Sequence, residues 1–473
     1  MTSSGGLITA MVVAYMAVTS WLAIRLRAKT PSDFTVAARS LPAFIVGVLM
    51  VSEFVGSKST IGAAQVAFES GMAASWAVLS VAIGFPLFGI FLGRKLYSSG
   101  EYTISAAIAK KYGRSTQLTV SLIMIYALFL VNVAYYVSGA AALSSVLHIS
   151  MPTAAILIAI VSTFYCAIGG LKSAAYVSVL HTTVMYLGVM IVLGVALYMT
   201  GGVRPMVAKL PEYYFTWDGK IGPTTILAWT VANIGAIFST QYIVQAISSL
   251  KALQDVRRST FVAAALCVPI GLAVALIGVC AKFLFPNMES LFAFPVFLSH
   301  MPPVLSAFGT ISIVASVLAG VSSVALGTSA LIVRDFYVPV WKPTAESELR
   351  MSRLLCIPIG FLPLIFVFFV PEVLHLSFFT RALRLSTSVV AIFAFYLPFF
   401  GSNRGATLSL LASLAITTAW YLMGDPYGLD DIYLALVTPT AGMLLDSIVT
   451  KAFGRRATSA FVRAEPDRRS DAA

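Results

Sequence analysis

The sequence predicts an all-α integral membrane protein with about thirteen transmembrane helices. Three observations lead there. Of the 473 residues, 59% are hydrophobic and only 11% are charged, where a soluble chain carries about 25% charged residues. Mean hydropathy is +0.91. Apolar runs of roughly 18 residues or more, long enough to cross a bilayer as helices, recur from end to end. No second, soluble domain is set apart. A single transmembrane domain is expected over 1–455, in contact with the lipid bilayer. The polar stretch 456–473, ending RAEPDRRSDAA, reads as a disordered cytoplasmic tail.

The first span, near 6–26, has neither a basic n-region nor an A-x-A cleavage site before it, so it is expected to be retained. The others follow near 42–66, 72–94, 116–147, 152–171, 173–199, 223–247, 258–284, 303–333, 352–371, 375–400, 404–423 and 430–449. Basic residues cluster in alternate loops: Arg25, Arg27, Lys29 and Arg39 after the first span, then Arg94, Lys95, Lys110, Lys111 and Arg114 after the third. Lys251, Arg257 and Arg258 follow the seventh, and Arg334, Lys342, Arg350 and Arg353 the ninth. The positive-inside rule then puts the N-terminus outside and the C-terminus in the cytoplasm of a cell inner (plasma) membrane protein. The net charge of +12 is thus mainly a topology signal, and no nucleic-acid partner is expected. Cys166, Cys267, Cys280 and Cys356 all lie in apolar spans without metal-ligand spacing, and no disulfide framework is expected. Oligomeric state is not encoded in any pattern here.

Charges inside spans carry the functional signal. At a helix centre each costs about 2.5–3.5 kcal/mol on insertion scales, so such a residue faces a cavity or a partner. In the second span, VSEFVGSKSTIG holds Glu53 and Lys58. Five residues separate them, about 140° around an ideal helix, so a straight helix would point them apart. Gly56, Ser57, Ser59 and Thr60 favour a break, and discontinuous helices near the midplane are where transporters build substrate and ion sites. The segment Ser52, Glu53, Val55, Gly56, Ser57 and Lys58 is therefore the candidate substrate or coupling site. The plainer alternative for the two charges is a structural salt bridge to another helix. His181 in the sixth span is a titratable candidate, or a histidine bonded to a nearby backbone carbonyl. Arg384, deep in the eleventh span, suits a substrate carboxylate or an internal partner. Arg381, a turn nearer the outside, is expected to snorkel to the interface. No G-x-x-x-x-G-K-[ST], H-E-x-x-H or G-x-S-x-G pattern occurs, so neither an enzyme nor an ATP-driven pump is expected, and no cofactor or metal.

Five blocks then align in order with a known pattern: FTVAARSLP from Phe34, EYTISAAIAKKYG from Glu101, AIGGLKSAAYVSVLH from Ala167, TQYIVQAISSLKALQDVRRS from Thr240 and ASVLAGVSSVALGTSALIVRDFY from Ala315. Together, from about Asp33 to Ala406, the chain resembles the sodium:solute symporter family. The resemblance implies a LeuT-type 5+5 inverted-repeat core, here about 42–400, with extra flanking helices and with the first helix of each repeat broken. It implies a small-molecule solute partner and places Gln241 and Gln245 on the sixth core helix.

The departures from that pattern bear on coupling. Aligned on Asp335-Phe336-Tyr337, the hydroxyl pair that binds sodium in the family falls on Ala319 and Gly320, which have no side-chain oxygen. Ser316, Ser322 and Ser323 lie nearby and leave room for a shifted site. The family's membrane aspartate falls on Ser178, the following glutamine on His181, and the arginine of its Q-R pair on Ala246. The expected function is a secondary transporter importing a small polar, carboxylate-bearing solute by alternating access. The coupling ion is expected to be a proton rather than sodium, or absent, with Glu53, Lys58 or His181 as proton carrier. Sodium symport through a rearranged site is the first alternative, and a transporter-like ligand sensor without flux the second.

Overall fold

The computed structural model describes residues 3–147, 149–369, 373–397 and 400–452; the expected tail at 456–473 lies outside them. The main helices are α1 (Ser3–Arg25), α2 (Ala43–Phe54), α3 (Ser57–Ser70), α4 (Trp76–Phe91), α5 (Ile104–Tyr112), α6 (Arg114–Leu147) and α7 (Met151–Thr200). There follow α8 (Pro223–Ser239), α9 (Gln241–Ser248), α10 (Asp255–Leu284), α11 (Pro303–Leu331), α12 (Ala345–Phe361), α13 (Val373–Tyr396), α14 (Asn403–Leu422) and α15 (Asp431–Ala452). Among the described residues ten helices are long and apolar enough to cross a membrane, or eleven if the bent pair α8–α9 is one span. The expected thirteen differ from this count at particular places. α2 alone is too short to cross, and α3 with α4 forms one continuous apolar run. The fifth and sixth expected spans are both in the 50-residue α7, broken only at Gly170.

Two helices are interrupted. α2 gives way to α3 at Val55, where φ is −116° and ψ 59°, and Gly56 is extended. α8 gives way to α9 at Thr240 with a bend of 50°. Both breaks lie in the interior. α2 and α3 pack on α10, α11 packs on α6 and α7, and α13 packs on α8, α6 and α3. α13 therefore touches both broken helices.

Polar anchors hold the ends of this bundle. Asp335, just after α11, is buried and accepts from Ser121 at 2.5 Å, Gln117 at 2.9 Å, Thr103 at 3.3 Å and Ser105. Lys111 of α5 donates to the carbonyls of Phe393 and Phe400, both at 2.9 Å, and of Leu397. It thus caps the C-terminal end of α13 with a positive charge, where orphan carbonyls attract one. Cys166 of α7 and Cys356 of α12 form a disulfide with Cα atoms 6.0 Å apart, which corrects the expectation of no pairing. A separation of 190 residues gave no local signal for it.

Gly170 has φ 73°, and a Cβ there would lie 2.8 Å from Ala28 Cβ and 2.9 Å from the Phe34 ring. Gly170→Ala should cost about 2–4 kcal/mol through left-handed strain and overpacking together, read as a lower thermal midpoint in detergent. Asp335→Ala strands four donors and should cost about 3 kcal/mol or more, with Ser121→Ala costing less.

Candidate functional site

The break between α2 and α3 leaves backbone carbonyls without helical partners. The chain's own hydroxyls satisfy them. Tyr135 of α6 donates to the Glu53 carbonyl at 2.6 Å, and Ser59 donates to the Phe54 carbonyl at 2.5 Å. Ser57 pairs with Ser138 of α6 at 2.8 Å, while Ser52 donates back to Leu49. The kink also swings Lys58 round toward Glu53. Their charged atoms are 3.5 Å apart, with both side chains fully buried. This answers the geometric objection that a straight helix raises.

Arg384 of α13 completes the cluster. Its Nη1 lies 3.2 Å from the same Glu53 Oε1 and donates to Thr240 Oγ1 at 2.9 Å. Its Nε donates to the Thr380 carbonyl at 3.1 Å, and Ser239 Oγ donates to the Arg384 carbonyl at 2.7 Å. Thr240 is the residue at which α8 breaks into α9. One arginine therefore ties the two broken helices together. Arg381, one turn away, is fully buried rather than snorkelling. Its Nη2 reaches Ser59 Oγ at 3.5 Å, and its guanidinium lies 4.6 Å from the Phe378 ring centroid. The helix is packed on several sides at this depth, so the side chain has no path to an interface.

Among the described residues, three fully buried cations thus stand around one fully buried carboxylate. Four of their polar atoms have no hydrogen-bond partner: Glu53 Oε2, Arg381 Nε, Arg381 Nη1 and Arg384 Nη2. Buried polar groups without partners are uncommon, and three donors and one acceptor of this kind sit together here.

Tyr135 occupies the space beside the break. A Cβ on Gly320 would lie 2.1 Å from its Cζ, and one on Gly56 would lie 2.6 Å from its Cε1. Lys58 Nζ sits 4.9 Å from its ring centroid. The absent side chains at Gly56 and Gly320 are what admit the ring. The α11 hydroxyls nearest Ala319 and Gly320 bond their own helix: Ser316 to Ile313, Ser323 to Ala319 at 2.7 Å, and Ser322 to Leu318. Ala319 is buried there and has no side-chain oxygen.

The other sequence candidates are placed elsewhere. His181 is bonded to Tyr15 of α1 at 2.5 Å, and Ser178 is buried on the same helix. Gln241 clamps the loop before α5, accepting from Ile104 N at 3.0 Å and donating to the Tyr102 carbonyl at 2.9 Å. Gln245 is buried with its Oε1 unpartnered. Sequence reasoning missed Tyr135, Thr240 and the burial of Arg381. Gly320 opposite an aromatic span was the available signal for Tyr135, but pairing the two needs the fold.

Comparison with known proteins agrees on family and fold. A sodium/pantothenate symporter of Haemophilus influenzae is 22% identical over 338 residues, 68% of this chain and 69% of its own. The human high affinity choline transporter 1 is 23% identical over 66% of this chain, which spans only 57% of that relative's length. The high-affinity proline transporter PutP of Bacillus subtilis is 20% identical over 92% of this chain and 96% of its own. Among solved structures, a Na+-coupled sialic acid symporter in a substrate-bound outward-open state superposes with a TM-score of 0.80. It is 15% identical, covering 96% of this chain and 98% of that one. A nucleobase-cation-symport-1 family transporter gives 0.59 at 15% identity, over 89% and 96%. These are LeuT-type folds of transporters, not enzymes. The model of the sodium:solute symporter family matches residues 34–396, and the chain belongs to that membrane-embedded, multi-pass family.

Proposed function

We propose that this chain is a secondary transporter importing a small, carboxylate-bearing solute by alternating access, coupled to protons rather than to sodium. One observation carries the solute class: among the described residues Glu53 is the one carboxylate paired with this group of Lys58, Arg381 and Arg384, with guanidinium donors left without acceptors. Arginine matches a planar carboxylate with paired N–H donors, and a buried cation without an acceptor is costly until an anion arrives. The two broken helices meet at this cluster, as at the substrate sites of transporters built from inverted repeats.

The coupling reading rests on what fills the space beside the break. Sodium takes hard oxygen ligands. Here Ala319 and Gly320 offer no side-chain oxygen, and the Tyr135 ring and Lys58 ammonium occupy the neighbourhood instead. A proton exchanged at Glu53 or Lys58 would change the charge of the cluster just where the solute binds. His181 and Tyr15 form a separate pair, so His181 is the less direct carrier. Sodium symport through a rearranged site is the competing reading, favoured by the names of the pantothenate and sialic acid symporters. We further propose a single transporter domain over 1–455 in the cell inner membrane, with the N-terminus outside and the C-terminus in the cytoplasm.

In proteoliposomes, labelled short carboxylates should accumulate under an inward proton gradient, and a sodium gradient should add nothing. Arg384→Gln should lower that uptake at least about thirtyfold, in line with the 2–5 kcal/mol or more lost when a buried charge pair is truncated. Glu53→Gln should remove the response to pH. Accumulation driven by sodium, insensitive to pH and to Glu53→Gln, would contradict the reading.

The plug is testable on its own. Tyr135→Phe bares the Glu53 carbonyl and should cost about 1–3 kcal/mol, while Gly320→Ala should cost about 1–3 kcal/mol by overpacking. Gly320→Ala in a Tyr135→Leu background should cost far less, giving a coupling energy of about 0.5–3 kcal/mol in a double-mutant cycle of thermal unfolding.

A further inference from the structure

The cluster's charge goes beyond a single carboxylate. Lys58, Arg381 and Arg384 are cations and Glu53 is the one acid set against them, all fully buried. Glu53 Oε1 serves both Lys58 and Arg384. Arg381 has no carboxylate within ion-pair reach among the described residues. Its contacts are a long hydrogen bond to the Ser59 hydroxyl and the face of Phe378. With Lys58 protonated, a monocarboxylate would therefore leave one buried positive charge unbalanced, whichever arginine it chose.

The donors left over are also divided between two places. Arg384 Nη2 is open on one guanidinium, and Arg381 Nε and Nη1 on the other. The two residues stand at i and i+3 on α13, a spacing that brings Cβ atoms to about 5–6 Å on one helix face. Two anionic groups on a short skeleton fit that arrangement better than one compact group. We propose that the solute is a short dicarboxylate, one carboxylate taken by Arg381 and the other by Arg384 with Lys58. This rests on the carboxylate reading above and narrows it. Arg381 is then the residue that sets dicarboxylate over monocarboxylate specificity.

The test uses the purified full chain in detergent at pH 7.5 and constant ionic strength. The thermal midpoint is followed against malonate, succinate, butyrate and inorganic sulfate, since a ligand that binds only the folded state raises it. At least one of malonate and succinate should half-saturate at a concentration at least about tenfold below butyrate and sulfate, a difference of 1.4 kcal/mol. Arg381→Gln should erase most of that gap, and Arg381→Lys, which keeps the charge, should retain it. Butyrate binding as well as both diacids would overturn the proposal and leave the carboxylate reading standing. Sulfate binding as well as the diacids would overturn it in favour of one compact dianion. A gap that survives Arg381→Gln would overturn the role of Arg381. If no carboxylate moves the midpoint, the carboxylate reading itself falls, and the narrower proposal with it.

Discussion

The bond between Arg384 and Glu53 is the contact on which the centre of this molecule depends. Each partner belongs to a different helix, and each helix has little else that could neutralise it. Glu53 stands at the mouth of the break between α2 and α3. Arg384 reaches from α13 to Glu53 and also to Thr240 at the break between α8 and α9. Removing one partner of an isolated buried pair costs about 3–5 kcal/mol; here Lys58 shares the same Glu53 oxygen, so part of that cost is offset when Arg384 is removed. The expense of burying the ions is itself a reason to connect them with function, since apolar residues could hold the helices together more cheaply. A pair that ties two interrupted helices is also well placed to change when those helices move against each other.

A broken helix needs partners for its freed carbonyls, and here side chains of the protein supply them. Tyr135 takes the Glu53 carbonyl, Ser59 takes the Phe54 carbonyl, and the Lys58 amine lies alongside. The ring fits because Gly56 and Gly320 present no Cβ to it. Neither Ala319 nor Gly320 carries a side-chain oxygen, and the Tyr135 ring packs against Gly320. The Tyr135 hydroxyl and the Lys58 ammonium both lie beside the break.

The apolar spans and the ionisable residues within them were readable from the sequence, because both follow from the cost of polar groups in lipid. Glu53, Lys58 and Arg384 stood out for that reason, and Gly56 among serines marked the break. Their mutual contacts were not readable. Arg384 meets Glu53 across 331 residues, and Tyr135 meets the Glu53 carbonyl across 82. Such contacts depend on how helices pack, which no local period encodes. Arg381 was misread because its distance along the span resembled a snorkelling position, whereas burial depends on what surrounds the helix. His181 stood out as an intramembrane histidine, but its contact with Tyr15 of α1, 166 residues away, was not readable. Cys166 and Cys356 could be paired only by the contact of α7 with α12.

The central claim is that positive charge in the core is supplied by the chain and not by sodium. The most direct measurement is sodium binding to the purified wild-type protein, read as the thermal midpoint in sodium chloride against choline chloride at equal ionic strength. A cation that bound the folded state would stabilise it by about 2.7 kcal/mol at one hundred times its dissociation constant. The account predicts the same midpoint in both salts. A saturable rise specific to sodium would contradict it and would place a working sodium site in the core despite Tyr135 and Lys58.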